Sequence, residues 1–313
     1  MNWTLLVRAL AGALAALALD APVNAATLYS ISRDDALLRT IDPDTGATLA
    51  SIPLTHPFGT VLGGNGLAAD PTTNTLWAIL RVAEAERTQR ELARIDAATG
   101  VVTAIGNTEH AIAAIAFDAA GVLYGVIGNA GSPPETMVTL SKTDASAPIF
   151  MPLGNGGDGE AIAFSSFDGL MYHWSGLGAQ NVTEIAESID LQSKTTAPLT
   201  ITGADYDEAL AGTFEESTRS FLLSADYFDA KLYRVRLRGP LAAVSLIGDL
   251  DHQSKGLAFL VPEPATFVTA MTLALWLAMS IGRCSRPYTL SRLSSRRKRS
   301  IIDVWFSNER PST

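Results

Sequence analysis

Gly66-Leu67-Ala68-Ala69-Asp70 is the first copy of a five-residue phrase that returns along the chain at a nearly constant interval. The later copies are Ala114-Ile115-Ala116-Phe117-Asp118, Ala161-Ile162-Ala163-Phe164-Ser165, Ala209-Leu210-Ala211-Gly212-Thr213 and Gly256-Leu257-Ala258-Phe259-Leu260. Their first residues are 48, 47, 48 and 47 positions apart. A fixed period of this size predicts one supersecondary unit repeated along the chain.

Three further runs follow each phrase, and they are short and rich in β-branched and aromatic residues. After the first copy they occupy residues 76–79, 92–96 and 101–105. Turn-forming Asp and Gly separate them, as in Asp96 to Gly100. Four strands with short loops fill the period, which indicates one blade of a β-propeller. The alternative is a β-sandwich with accidental spacing.

The phrase alternates small and large residues, and a strand turns alternate side chains to opposite faces. We expect the innermost strands to crowd around the axis. Gly and Ala then fit the cramped face, while Leu, Ile and Phe pack between blades.

The first repeat lacks a phrase of its own, and the last phrase, at residues 256–260, has no blade after it. The sequence therefore predicts an all-β, five-bladed propeller in which the C-terminal strand completes the N-terminal blade and closes the ring. The predicted blades comprise residues 27–60 with 256–260, 66–110, 114–155, 161–203 and 209–250.

One segment, residues 82–94, is rich in helix-forming residues such as Glu, Ala and Arg. Its position in the repeat lies between the second and third strands of the second blade. We expect a charged loop there, with a helical turn.

Residues 1–25 have the features of a secretory signal peptide. Arg8 precedes an apolar core from Ala9 to Leu19, and Val23-Asn24-Ala25 offers the small residues that a signal peptidase reads. We expect cleavage after Ala25 or Ala26 and a propeller over residues 26–261. A buried N-terminal helix is the alternative.

Residues 265–281 form an uncharged apolar run at the other end of the chain. As a helix the run is about 25 Å long, near the lower limit for crossing a bilayer. Arg283 and Arg286 follow it and predict a cytoplasmic location for the basic tail, residues 282–313. A single-pass transmembrane anchor is the simple expectation.

Pro262-Glu263-Pro264, an apolar run and a basic cluster follow one another here. This order resembles the PEP-CTERM sorting tail of exported bacterial proteins. The resemblance implies cleavage by an exosortase at or near Pro262, Glu263 and Pro264. Members of that family usually end soon after the basic cluster, whereas this chain continues from residue 287 to 313. An ordinary anchor that retains the protein in the membrane is the alternative.

The repeats also resemble propellers of the extracellular NHL and YVTN type. The likeness rests on residues 117–125 and on the Ile-Asp-x-x-Thr-Gly turns at residues 41–46 and 95–100. It implies the fold but no particular ligand, because one fold carries many functions.

Charge is distributed unevenly along the chain. Residues 27–264 hold 14 basic and 29 acidic residues, a net charge of −15, while the tail from Arg283 carries +6. An acidic exported domain argues against nucleic acid as a partner. The only cysteine is Cys284, so residues 27–264 have no disulfide.

No motif of a serine hydrolase, zinc protease or phosphate-binding loop occurs in the chain, and no cofactor is evident. The best candidates for a ligand site are polar residues in the loops that lead to the inner strands. They are Asn65, His110, Asp158, Glu160 and Glu208. Glu160 and Glu208 hold the same position in adjacent repeats, so they could bind Ca²⁺ or act as an acid/base pair.

Asp42, Asp44 and Asp96 lie in the turns between third and fourth strands. They could be calcium ligands, but a turn-forming role is the commoner one for such residues.

Two functions follow as hypotheses. The first is a non-catalytic binding or structural propeller at the cell surface or in the extracellular matrix, with extracellular polysaccharide or a surface protein as partner. The second is a propeller hydrolase or lyase, directed at a lactone or a glycan, that uses the carboxylates in the loops leading to the inner strands.

Overall fold

A computed structural model describes residues 26–84, 87–128, 135–153, 160–176, 184–226 and 228–261. These residues form 21 β-strands and no helix. The strands in chain order are β1 (Thr27–Ser32), β2 (Leu37–Ile41), β3 (Thr48–Pro53), β4 (Thr60–Asp70), β5 (Thr75–Glu84), β6 (Arg87–Ile95), β7 (Val102–Asn107), β8 (Ile112–Phe117), β9 (Leu123–Ile127), β10 (Thr136–Leu140), β11 (Ile149–Pro152), β12 (Glu160–Ser165), β13 (Leu170–Ser175), β14 (Ile185–Asp190), β15 (Thr195–Pro198), β16 (Thr200–Gly203), β17 (Ala209–Glu215), β18 (Ser220–Ala225), β19 (Lys231–Arg238), β20 (Leu241–Asp249) and β21 (Ser254–Leu260).

The strands pair into five sheets, one for each blade of a β-propeller. In blade order the sheets are β21-β1-β2-β3, β4-β5-β6-β7, β8-β9-β10-β11, β12-β13-β14-β15 and β17-β18-β19-β20-β16. Each of the five phrases marks the inner strand of its blade, namely β4, β8, β12, β17 or β21, and only Asp118 falls just beyond its strand. The predicted five-bladed, all-β fold is therefore confirmed.

The ring closes between its first and last strands. β1 pairs antiparallel with β21, with Thr27 opposite Leu260 and Tyr29 opposite Ala258. The C-terminal strand thus supplies the inner strand that the first repeat lacks, as the sequence predicts. Closure of this kind leaves no unpaired sheet edge between the first and last blades.

The hydrophobic core is divided into five layers, one between each pair of neighbouring blades. Between blades four and five, Tyr172 and Trp174 of β13 pack on Phe221 of β18, with ring centroids 4.8 and 4.9 Å apart. Stacked sheets bury their side chains in this way face to face.

The small residues of each phrase have a physical cause that refines the expectation from sequence. A Cβ on Gly66 would lie 2.9 Å from the backbone nitrogen of Ile115 in the next blade. A Cβ on Gly256 would lie 2.7 Å from the backbone nitrogen of Leu67, again in the next blade. At Gly66 and Gly256 the cramped face is thus the one that meets the following inner strand, where Ile115 and Leu67 fill the space.

Residues 82–94 correct the prediction of a loop with a helical turn. β5 and β6 form a long hairpin in which Val82 pairs with Gln89, and β4 extends beside it so that Thr60 pairs with Ala83. Leu80 and Val82 are buried, while Arg81 between them is only half-buried. This period-2 pattern and the sheet pairing override a helix propensity that is small per residue.

Blade four also ends before residue 203, the end predicted for it. A tight turn after Asp190 returns the chain at once, so β15 completes this blade by Pro198. Thr200–Gly203, which lie within the range predicted for blade four, instead form β16, which pairs parallel with β20 of blade five. Blade five therefore has an extra outer strand taken from the preceding repeat.

The leader (residues 1–25), Pro262, Glu263 and Pro264, the apolar run 265–281 and the tail with Arg283 and Arg286 all lie outside the described residues. Within the described part of the chain, no helix has the length and apolar character needed to cross a membrane.

Candidate functional site

A buried group of charged side chains lies between blades three and four. Glu160 begins β12, His173 lies in β13 opposite Ile162, and Glu187 lies in β14 directly opposite His173. Because alternate residues of a strand share a face, Glu160 points to the same side of the sheet as Ile162 and His173. Glu135 reaches this face from blade three, just before β10.

Short contacts join these side chains. Nε2 of His173 lies 2.6 Å from Oε2 of Glu160, and Nδ1 lies 3.0 Å from Oε1 of Glu187. The exposed fractions of Glu160, His173 and Glu187 are only 1%, 0% and 2%. One imidazole is thus held between two carboxyl groups and shielded from water.

The surroundings shift the pKa values of this group. Burial alone would lower the pKa of His173, but hydrogen bonds to Glu160 and Glu187 outweigh burial and raise it to about 10. Burial, followed by the nearby negative charge of Glu160, raises the pKa of Glu135 to about 9. The two carboxyl groups thus favour the charged form of the imidazole, whereas burial beside Glu160 favours the neutral form of Glu135.

Three oxygens of the group lack a donor among the described residues: both carboxyl oxygens of Glu135 and Oε1 of Glu160. Glu135 is 9% exposed, and its backbone has a φ of 50°, in the left-handed region that residues other than glycine rarely adopt. Ligand atoms from Glu135, Glu160 and His173 all lie within 4.8 Å of one another. Buried oxygens without donors are uncommon, and they suit a bound cation.

The other predicted site residues have different partners. Glu208 pairs with Lys255 at 3.4 Å, across the junction of blades five and one, rather than with Glu160. Asn65 lies within β4, not in a loop, and its buried Oδ1 has no donor in the described part of the chain. The His110 side chain is half-buried, and Asp158 lies outside the described residues. Calcium between Glu160 and Glu208 stays a prediction.

The turn aspartates use their side chains to cap their own turns. Oδ1 of Asp96 accepts from the backbone nitrogens of Ala98 and Thr99 at 2.9 and 3.0 Å, and Oδ1 of Asp42 accepts from that of Asp44 at 2.9 Å. These contacts lower the pKa of Asp96. Turn formation accounts for both residues.

Glu135, His173 and Glu187 were not predicted as members of one site. A signal was nevertheless present in the repeat alignment. The second residue of each phrase is Leu or Ile, and in blades one to four it pairs with a residue of the next strand. That partner is Ser30, Ala78 and Gly125 in blades one, two and three, but His173 in blade four. A large ionisable residue in a position otherwise occupied by small ones indicates a local departure from simple packing.

A second buried network lies in blade one and in the loop between β20 and β21. The Ser30 Oγ lies 2.7 Å from Nε2 of His252, whose Nδ1 lies 2.7 Å from Oδ1 of Asp251. Ser30 has no exposed surface, and its Oγ also lies 2.8 Å from that of Ser254. The order of groups matches a catalytic triad, but a hydroxyl without surface cannot meet a substrate, so this network serves packing.

A cleft of about 330 Å³ lies between blades two and three. It is near the C-terminal end of an inner strand, whereas Glu160 lies at the N-terminal end of one. Buried Asp70 and half-buried Lys142 form an ion pair at 3.0 Å along its wall, and Trp77 and Arg94 also line it. Burial opposes the ionisation of Asp70, but hydrogen bonds from Thr72 and Lys142 lower its pKa overall. The pair fastens one blade to the next.

Comparison with known proteins supports the fold and goes no further. No protein-family model matches the chain, and no curated protein matches it. One chain of a crystal structure of a nidogen–laminin complex aligns with 75% of this chain and 98% of its own length, at 11% identity and a TM-score of 0.50. A Bacteroides caccae protein of unknown function aligns over 75% and 99%, at 11% identity and a TM-score of 0.47. At such identity the likeness to the nidogen–laminin chain shows a shared propeller fold alone.

Proposed function

We propose that this chain is an exported, non-catalytic binding or structural propeller, sorted through a PEP-CTERM-like tail to the cell surface or the extracellular matrix. Signal peptidase and an exosortase would be its processing partners. The observation that carries the proposal is the position of the ring within the chain. β1 begins at Thr27, just after the predicted signal cleavage site, and β21 ends at Leu260, just before Pro262. Cleavage at both predicted sites would therefore leave every strand in place.

Charge supports the proposed class of ligand. The net charge of −15 over residues 27–264 disfavours nucleic acid and anionic lipid, which both attract positive surfaces. Extracellular polysaccharide or a surface protein is the partner that we propose.

Support for a non-catalytic role comes from the two carboxylates considered as an acid/base pair. Glu160 is almost fully buried against His173, whereas Glu208 pairs with Lys255. A general acid and base must both reach the substrate, and these two side chains belong to separate ion pairs.

Sorting is tested by following the full-length protein in a host that produces an exosortase. We expect a released form whose mass lacks both the leader and the residues beyond the Pro-Glu-Pro motif. Replacing Pro262, Glu263 and Pro264 with alanine should keep the protein cell-associated. Replacing residues 307–309 with alanine is the matched control and should leave release unchanged.

Unchanged release of the motif variant, or release of the wild type from a strain without the exosortase, would contradict sorting. The ligand is tested separately by co-sedimentation of the released protein with the host's own exopolysaccharide. Sedimentation with the polysaccharide is expected, and a protein left wholly in the supernatant would contradict polysaccharide as the partner.

A further inference from the structure

We propose that Glu135, Glu160 and His173 bind one divalent transition-metal cation of the Zn²⁺ class between blades three and four, with Glu187 orienting the imidazole. This proposal goes beyond export and sorting and does not depend on them. It assigns a role to a charged group whose central residue, His173, replaces the small uncharged residues Ser30, Ala78 and Gly125 of blades one to three.

The donor set selects the class of cation. Two carboxylates and one imidazole offer two oxygens and one nitrogen within 4.8 Å of one another. Imidazole suits Zn²⁺ and its first-row neighbours, and three protein ligands with one open position are common at zinc sites. Ca²⁺ instead takes six to eight oxygen ligands, which this group does not offer among the described residues.

The oxygens without donors are the independent reason to expect a ligand. Both carboxyl oxygens of Glu135 and Oε1 of Glu160 are buried and receive no hydrogen bond from the described residues. Both side chains belong to residues that are at least nine-tenths buried. A cation between them would compensate the loss of water at these oxygens, which a hydrophobic surrounding cannot do.

Glu187 has the place of an outer partner. Its Oε1 lies 3.0 Å from Nδ1 of His173, on the side of the ring away from Glu160. Histidine ligands in metal sites usually donate their second nitrogen to a carboxylate in this way, which directs the other nitrogen at the metal. Nε2 of His173 already points at Glu160.

Metal binding requires that His173 Nε2 and Glu135 release their protons to solvent, as metal ligands generally do, and it requires a small change in geometry. Nε2 of His173 and Oε2 of Glu160 are 2.6 Å apart. Two ligand atoms of a tetrahedral zinc site are about 3.4 Å apart, so the donors must separate by about 1 Å. A rotation of the Glu160 side chain provides such a movement without a change in the sheet.

The test uses the full-length protein after treatment with a chelator. Titration with Zn²⁺ in a calorimeter should show one site per chain, and Zn²⁺ should raise the melting temperature. Co²⁺ in place of Zn²⁺ should give visible absorption bands from a site with nitrogen and oxygen ligands.

Glu135→Gln is the decisive variant. An amide resembles a carboxylic acid in shape, so without metal this variant should melt close to the wild type. With metal, its Zn²⁺ affinity should fall by about 100-fold or more, and Glu187→Gln should lose about 10- to 100-fold as an outer partner. Glu215→Gln removes a buried carboxylate that pairs with Arg234 in blade five and is the matched control, with unchanged Zn²⁺ affinity.

The proposal is overturned if the wild type binds no Zn²⁺ in the micromolar range, or if Glu135→Gln binds it equally well. Tighter binding of Ca²⁺ than of Zn²⁺ would overturn the class of cation. Equal loss of affinity in Glu215→Gln would show that binding depends on general stability rather than on this site.

Discussion

His252 is buried against Ser30, and burial is the main reason why its pKa is lowered. The Asp251 hydrogen bond and the Asp35 charge act against burial, while Arg39 acts with it. Between the lowered pKa and about 6.5, the unfolded chain binds a proton at this position and the folded chain does not. His252 therefore does not lower the free energy of unfolding above pH about 6.5. As the pH falls below that value toward the pKa of His252 in the folded protein, the free energy of unfolding decreases.

We predict that the melting temperature of the wild type decreases as the pH falls from about 7 to about 5.5, and that His252→Gln decreases less over the same range. Differential scanning calorimetry at several pH values provides the measurement. Parallel curves for the two proteins would contradict the prediction.

The candidate site shows what sequence can reveal about single residues. Glu160 was found because it directly precedes a copy of the repeated phrase. Glu135 and Glu187 were not, because they reach His173 from a neighbouring blade and a neighbouring strand. Their contacts depend on the register of strands and the stacking of blades, which a one-dimensional pattern does not contain.

Among the structural elements, the inner strands need glycine where a side chain would collide with the next blade. Gly66 has a φ of 73°, and a Cβ there would meet the backbone of Ile115 in the next blade. Gly169 has a similar φ of 76°, but a Cβ there would meet nothing within 4 Å. A residue other than glycine would be strained by the left-handed backbone at both positions. Only at Gly66 would its side chain also collide with a neighbouring blade.

We predict that Gly169→Ala lowers the free energy of unfolding by about 1 kcal/mol, from backbone strain alone. Gly66→Ala should lower it by about 1–3 kcal/mol more, because it also forces two inner strands apart. Urea unfolding of both variants measures the difference. Equal losses would mean that contact between blades does not restrict this position.

The elements also mark the limits of local patterns. The five phrases located every inner strand because their spacing repeats, but residues 82–94 carried a helix-forming composition inside a hairpin. The sequence places Thr200–Gly203 in the wrong blade because these residues have strand character in either sheet. What decides between the sheets is the tight turn that completes β15 early.

For the molecule as a whole, β21 is the element on which closure depends. We predict that a chain ending after Val261 melts at nearly the same temperature as the full-length protein. A chain ending after Gln253 lacks β21, which exposes β1 and the apolar layers on both sides of blade one. It should melt at a much lower temperature, over a broader range. Thermal unfolding followed by circular dichroism compares the three chains.

If the chain without β21 melts as sharply as the full-length protein, closure does not stabilise the ring. The blade count and the closing strand could be predicted because an absent phrase at one end matched a surplus phrase at the other. The residues of the candidate site could not be predicted in this way. The repeated phrase has the same spacing whether the layer between two blades is apolar or charged.

The pairing of β1 with β21 also has a mechanical consequence. Thr27 and Leu260 stand opposite each other, so both termini of the ring leave it from the same end of one hairpin-like pair. A pulling force applied between the termini would load the hydrogen bonds one after another, as in opening a zipper, and would part the strands at low tension. A ring tethered through one terminus only would not experience that load, so single-ended attachment favours survival of the closed form under flow.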